Sequence, residues 1–181
     1  MDRNRLNTPI AKPQDPARPR PYVLAPVTPA ELLSTLIGCS LGIGLLCGLA
    51  WWSGEPWIIA PFGASALLVY AAPKAPFAQP RNLFGGHLVG ALVSITVMNL
   101  FGSNPVTVTA AVTLAIMIMQ ATNTLHPPGG ATALLCGMMG TADYGFILFP
   151  LMPGVIIMFV TAWLASRVFP DDGVYPHHPL R

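Results

Sequence analysis

The sequence predicts an all-α transmembrane protein with about six membrane segments, four long and two short or broken, in a three-plus-three inverted repeat. Three observations carry this. Hydrophobic residues make up 53% of the 181 and charged residues 9%, with a mean hydropathy of +0.59, a balance that soluble domains of this size do not show. The apolar stretches run long, short, long, then long, short, long. Both short ones carry the same motif, Pro61-Phe-Gly-Ala-Ser-Ala-Leu-Leu68 and Pro128-Gly-Gly-Ala-Thr-Ala-Leu-Leu135, in which Ser65 is answered by Thr132.

Residues 1–30 hold five Lys and Arg among seven prolines and no apolar run. They read as a disordered basic cytoplasmic tail, neither signal peptide nor folded domain. No structured basic element accompanies the charge, so nucleic acid is not an expected partner. The membrane domain spans 31–168, with apolar segments at Glu31–Trp52, Trp57–Ala72, Leu83–Phe101, Val106–Leu125, Gly129–Gly140 and Phe146–Val168. A crossing takes roughly 20 residues, which the first, third, fourth and sixth supply. Residues 169–181 form a short C-terminal tail, and His177 and His178 within it are assigned no role.

Each short segment is interrupted. Only the stretch from Pro61 to Ala72 can be helical, roughly 16 Å, so Trp57–Ala60 enters in another conformation. Pro127 and Pro128 lack amide protons, so a helix is expected to restart only after these two prolines. Non-helical backbone at membrane depth survives where it is buried in protein or lines a wet cavity. Glycines four apart, Gly38 with Gly42, Gly44 with Gly48 and Gly86 with Gly90, suit close helix packing, and the Gly-rich first segment is a candidate contact for a homo-oligomer. Cys39, Cys47 and Cys136 read as small packing residues with no disulfide.

Charge sets the expected topology. With six crossings and the N-terminus inside, all nine Lys and Arg fall on the cytoplasmic side, and the loops at Ser53–Glu55, Gly102–Asn104 and Thr141–Tyr144 carry none. Both termini are then cytoplasmic, in a plasma (inner) membrane. Three crossings per half make the halves inverted, as in many secondary transporters.

The residues suited to chemistry cluster at the two motif copies. A helix start offers amide donors and partial positive charge, enough to draw an anion without a membrane-embedded cation. The expected anion contacts are Pro61, Gly63 and Ser65 from the first copy and His126, Pro127, Pro128, Gly129, Gly130 and Thr132 from the second. His87 and His126 are membrane histidines suited to hydrogen-bonding or proton transfer, and Arg81 and Asn82 end the basic loop near His87, where they suit gating or anion attraction. Hydroxyl capping and helix-end packing are the structural alternatives for Ser65, Thr132 and the histidines. No enzyme motif, cofactor motif or metal-ligand set is present, and no carboxylate sits at mid-membrane, so catalytic, cofactor and metal roles are not expected.

The runs His126-Pro127-Pro128-Gly129-Gly130-Ala131-Thr132-Ala133, Ala60-Pro61-Phe62-Gly63-Ala64-Ser65-Ala66, and Ala78-Gln79-Pro80-Arg81-Asn82 leading to Gly85-Gly86-His87 resemble the HPP family of integral membrane proteins, over about residues 31–168. The family is usually described with four spans, fewer than the six counted here. Plastid members are linked to nitrite transport, so the resemblance implies a transporter and names nitrite as the anion. The alternative function is a non-transporting membrane sensor or scaffold.

Overall fold

A computed structural model describes residues 27–168 and 174–177. Among these residues the chain is entirely helical, without strands. The helices are α1 (Pro29–Ser53), α2 (Pro61–Ala66), α3 (Pro80–Phe101), α4 (Pro105–Ala121), α5 (Pro127–Met139) and α6 (Met152–Val168). A π-helical turn at Leu67–Ala71 prolongs α2, a short 3₁₀ turn at Pro76–Ala78 precedes α3, and another π-helical turn at Ile147–Leu151 leads into α6. The expectation for residues 1–26 lies outside the described residues.

Proline opens five of the six α-helices, at the position where its missing amide proton costs no hydrogen bond. Thr28 closes a capping box with Glu31 ahead of α1, and Asn104 does so with Thr107 ahead of α4. The left-handed Gly54 ends α1 and the left-handed Gly140 ends α5.

Two helix lengths depart from expectation. Three segments, Pro29–Ser53, Pro80–Phe101 and Ile147–Val168, are long and apolar enough to cross a membrane. The fourth expected long segment is the shorter α4, 17 residues ending at Ala121, because Asn123 adopts a positive φ of 54° and turns the chain. The sixth is continuous in hydropathy but broken in backbone, since Phe149 is extended (φ −155°, ψ 129°) ahead of Pro150. The first interruption falls where expected: Trp57–Ala60 is non-helical, and Trp57 packs edge-on against Phe149 with ring centroids 4.9 Å apart. The breaks in the second and sixth segments therefore buttress each other.

The helix directions match an inverted repeat. Around α6, the third helix of the second half, α1 runs antiparallel, with Gly38 beside Ala165 and Gly42 beside Thr161, while α2 runs parallel, with Phe62 on Gly154 and Tyr70 bonded to Thr161 (2.7 Å). Around α3, the third helix of the first half, α4 packs antiparallel and α5 runs parallel, its Gly129 on Gly86 and its Ala133 carbonyl accepting from Ser94 (2.7 Å). The crossings of α3 and α5 are backbone against backbone. A methyl group added at Gly90 would overlap the Gly129 carbonyl, and one at Gly129 would overlap the Gly86 carbonyl, so only glycine permits this approach. Gly44 and Gly48 are the exception among the spaced pairs: among the described residues no neighbouring element comes within 4 Å of a side-chain carbon at either position, so they face away from the described fold.

The main core joins Leu46 of α1, Phe62 of α2, Leu83, Ala91 and Ile95 of α3, and Val155 and Met158 of α6. Tyr175 belongs to it as well. The described part of the C-terminal segment is thus packed against the helices, with the Tyr175 hydroxyl donating to the Ala78 carbonyl (2.7 Å) and the His177 amide to Gln79 Oε1 (3.0 Å). His178 lies outside the described residues.

Candidate functional site

Parallel packing of α5 on α3 sets His126, just ahead of α5, beside Gly86, so that α5 begins about 9 Å along α3. His87 is the next residue of α3. The start of α2 reaches the same level from the other half, and its Ser65 turns inward. Ser65, His87, His126 and Thr132 are all fully buried, each 0% exposed. They meet in one chain. Ser65 Oγ lies 2.8 Å from His87 Nε2 and 3.0 Å from His126 Nε2, His87 Nδ1 lies 2.7 Å from Thr132 Oγ1, and His126 Nδ1 lies 2.7 Å from the Phe77 carbonyl oxygen. The imidazole rings stand 5.0 Å apart, tilted by 61°, and Phe62 closes the apolar side with its ring edge-on to His87 at 5.8 Å.

The partners assign the protons. A carbonyl only accepts, so His126 carries its hydrogen on Nδ1 and, as a neutral ring, accepts at Nε2. Ser65 must then donate to His126, which leaves its lone pairs for the Nε2 hydrogen of His87. His87 in turn accepts at Nδ1 from the Thr132 hydroxyl. That hydroxyl also lies 3.2 Å from the Pro128 carbonyl, but its one proton serves the shorter bond to His87. The chain therefore runs one way, Thr132 to His87 to Ser65 to His126 to Phe77, with every member satisfied and no net charge. An arrangement of this kind is worth more intact than the sum of its bonds, because each break strands buried polar atoms.

The other expected site residues occupy different positions. Pro61, Pro128 and Gly129 are buried at the helix starts, with Gly129 spent on the contact with α3. Pro127 is exposed, Gly63 is exposed with nothing within 4 Å, and Gly130 faces Ile116 of α4 at 3.8 Å. Neither Gly63 nor Gly130 opens onto Ser65 or the histidines. The backbone donors are also fewer than a free helix start would offer: Phe62 and Gly63 amides donate to the Ile59 and Ala60 carbonyls, Gly129 donates to His126, and Pro61, Pro127 and Pro128 have no amide proton. Donors at the junction come mainly from imidazole and hydroxyl groups. Arg81 donates to the Thr122 carbonyl (2.8 Å) and Asn82 to the Leu125 carbonyl (2.7 Å), so both hold the turn that delivers His126.

Two contributors were not foreseen. The Phe77 carbonyl sets the tautomer of His126, and a backbone oxygen leaves no mark in sequence. Tyr175 caps the next carbonyl, and burial pushes its hydroxyl pKa up, so it remains a donor. Its one available signal was a tyrosine beside Val174 in a short Pro-rich tail. Among the described residues no group of three or more His, Cys, Asp or Glu could hold a metal ion.

Comparison with known proteins adds the lineage. Residues 24–176 match the model of the HPP transmembrane region. Two curated relatives are transmembrane proteins of Dictyostelium discoideum: one is 43% identical over 127 residues, covering 66% of this chain and 44% of the relative, and the other is 38% identical over 126 residues, covering 66% and 40%. The aligned stretch is thus less than half the length of either relative. No solved structure matches. An all-helical fold that brings His126-Pro127-Pro128 against a second copy of the same helix start, together with a match across nearly all the described residues, establishes that the chain belongs to the HPP family of integral membrane proteins.

Proposed function

We propose that this chain carries a small monovalent anion, with nitrite the first candidate, across a plasma (inner) membrane in which both termini are cytoplasmic. The observation that supports this most is the junction itself: Ser65 of one motif copy lies between His87 and the His126 that opens the other. A proton added to this neutral chain places positive charge between two helix starts, where an anion neutralises it. Loss of the proton restores the neutral chain and releases the anion. Binding and proton movement are thereby linked, which suits symport of an anion with a proton. Ser65, Thr132 and the two histidines supply the donors, and the start of α5 adds the positive end of its dipole. The buried junction needs a change of conformation to admit the anion, and the paired breaks at Trp57–Ala60 and Phe149 are the hinges that the fold offers. The outward-facing Gly44 and Gly48 suit contact with a second copy.

Proteoliposomes loaded to report nitrite, nitrate, formate and chloride test this. Nitrite influx is expected to follow an inward proton gradient and to fall at least tenfold in His126→Gln. Failure of every anion to move under either a pH gradient or a membrane potential overturns the proposal. One observation favours a second reading, a membrane sensor or scaffold: the junction is fully buried and every buried side-chain polar atom among the described residues has a partner. Absence of flux with intact folding would select it.

A further inference from the structure

The geometry points to Tyr175 as a positioning residue for the buried histidine chain, acting through the Pro76–Ala78 turn. Three consecutive residues of this turn region are held from outside it, one by His126 and two by the C-terminal segment. The Phe77 carbonyl accepts from His126 Nδ1 (2.7 Å), the Ala78 carbonyl accepts from the Tyr175 hydroxyl (2.7 Å), and Gln79 Oε1 accepts from the His177 amide (3.0 Å). The Phe77 and Ala78 carbonyls belong to adjacent rigid peptide planes that share the two torsions of Ala78. Fixing one carbonyl therefore limits the direction of the other. Ala78 is itself fully buried, so the pair has little room to turn independently.

Tyr175 is anchored at its far side too. Its amide donates to Ser166 Oγ of α6 (3.1 Å), and its ring lies 5.9 Å from that of Phe159. A line of contacts thus runs from α6 through Tyr175 and the turn to His126. The direction of proton donation along the whole chain depends on the carbonyl at its end, because His126 keeps its hydrogen on Nδ1 only while Phe77 faces it. Removing the Tyr175 hydroxyl leaves the ring in place but frees the Ala78 carbonyl. The Phe77 carbonyl then gains freedom, and the opposite tautomer of His126 becomes accessible.

Nitrogen-15 NMR of the two histidines in the full chain reads this directly, and it rests on the transport proposal only for the consequence in flux. The unmodified protein is expected to show His126 as a single Nδ1–H tautomer. In Tyr175→Phe the minor tautomer should rise roughly fivefold, the equivalent of losing one hydrogen bond, with a smaller shift in the same direction in Ser166→Ala. Ser103→Ala, which removes the donor to the Gly137 carbonyl at the far end of α5, should leave the tautomer unchanged. An unchanged His126 in Tyr175→Phe, or an equal shift in Ser103→Ala, overturns the inference. Should Tyr175→Phe not fold, Ser166→Ala decides by the same criterion. Tautomer shifts in a protein that moves no anion would reject the transport proposal while keeping Tyr175 as the positioning residue.

Discussion

The two copies of the repeated motif share six of eight residues and do different work. Copy one breaks after six α-helical residues into the Leu67–Ala71 π turn, whereas copy two runs for 13 residues to the Gly140 cap. The offset that superposes Pro61 on Pro128 also pairs Phe62 with Gly129, His87 with Gly154 and Ile59 with His126. Where α2 packs on α6 a large Phe62 fills the space over Gly154; where α5 packs on α3, Gly129 lies flat on Gly86 and the neighbouring His87 occupies the interior. Bulk has exchanged sides across the pseudo-two-fold. One helix pair has an apolar plug and the other has the imidazoles, and at their junction a hydroxyl has a histidine on each side.

The sharpest break in this comparison is Gly129→Val. Its added carbons meet the Gly86 backbone, which cannot swing aside, so little folded protein is expected on size-exclusion in detergent. Phe62→Ala comes next. It empties the plug of the other helix pair and should cost about 3–5 kcal/mol, measured as a loss of denaturation midpoint, with the histidine tautomers also disturbed because Phe62 walls His87. Ser65→Ala strands the His87 donor and the His126 acceptor together, at about 1–2 kcal/mol for each. Thr132→Val strands only His87 Nδ1 and should cost about half as much. Equal losses in the two variants would mean that the copies contribute alike. The smallest effects belong to Gly63→Ala and Gly130→Ala, where the added methyl meets open space or an ordinary contact with Ile116. Both should remain within about 0.5 kcal/mol of the parent, and a drop in nitrite flux without a drop in stability would restore the backbone at these glycines to the anion site.

Much of this was legible from residue order. The break at Trp57–Ala60 follows from proline chemistry, which acts on the residue itself and its immediate neighbours; the second helix restarts earlier than expected, with Pro127 and Pro128 as the first residues of α5, where a missing amide proton costs no intrahelical bond. The pairing of Gly86 with Gly90 marked a close crossing correctly, while the same spacing at Gly44 and Gly48 did not, because spacing identifies a face and not what lies opposite. Hydropathy treated Phe146–Val168 as one uninterrupted span. It could not register the extended Phe149, since an apolar residue remains apolar in either conformation. The length of α4 was overestimated for a related reason: Thr122–Leu125 is partly apolar, yet Asn123 turns the chain.

Local chemistry thus settled the membrane character, the helix starts and the short list of polar residues available to a site, because composition and proline act without reference to distant chain. Which of those residues meet was decided by packing. Ser65 and His126 are 61 residues apart in sequence, and their contact depends on two parallel helix pairs bringing their broken ends to one depth. The direction of the hydrogen-bond chain depends on still less visible groups, the Phe77 carbonyl and the Tyr175 hydroxyl that holds its neighbour. Backbone oxygens are the same in every residue, so only the folded arrangement determines which of them a histidine finds.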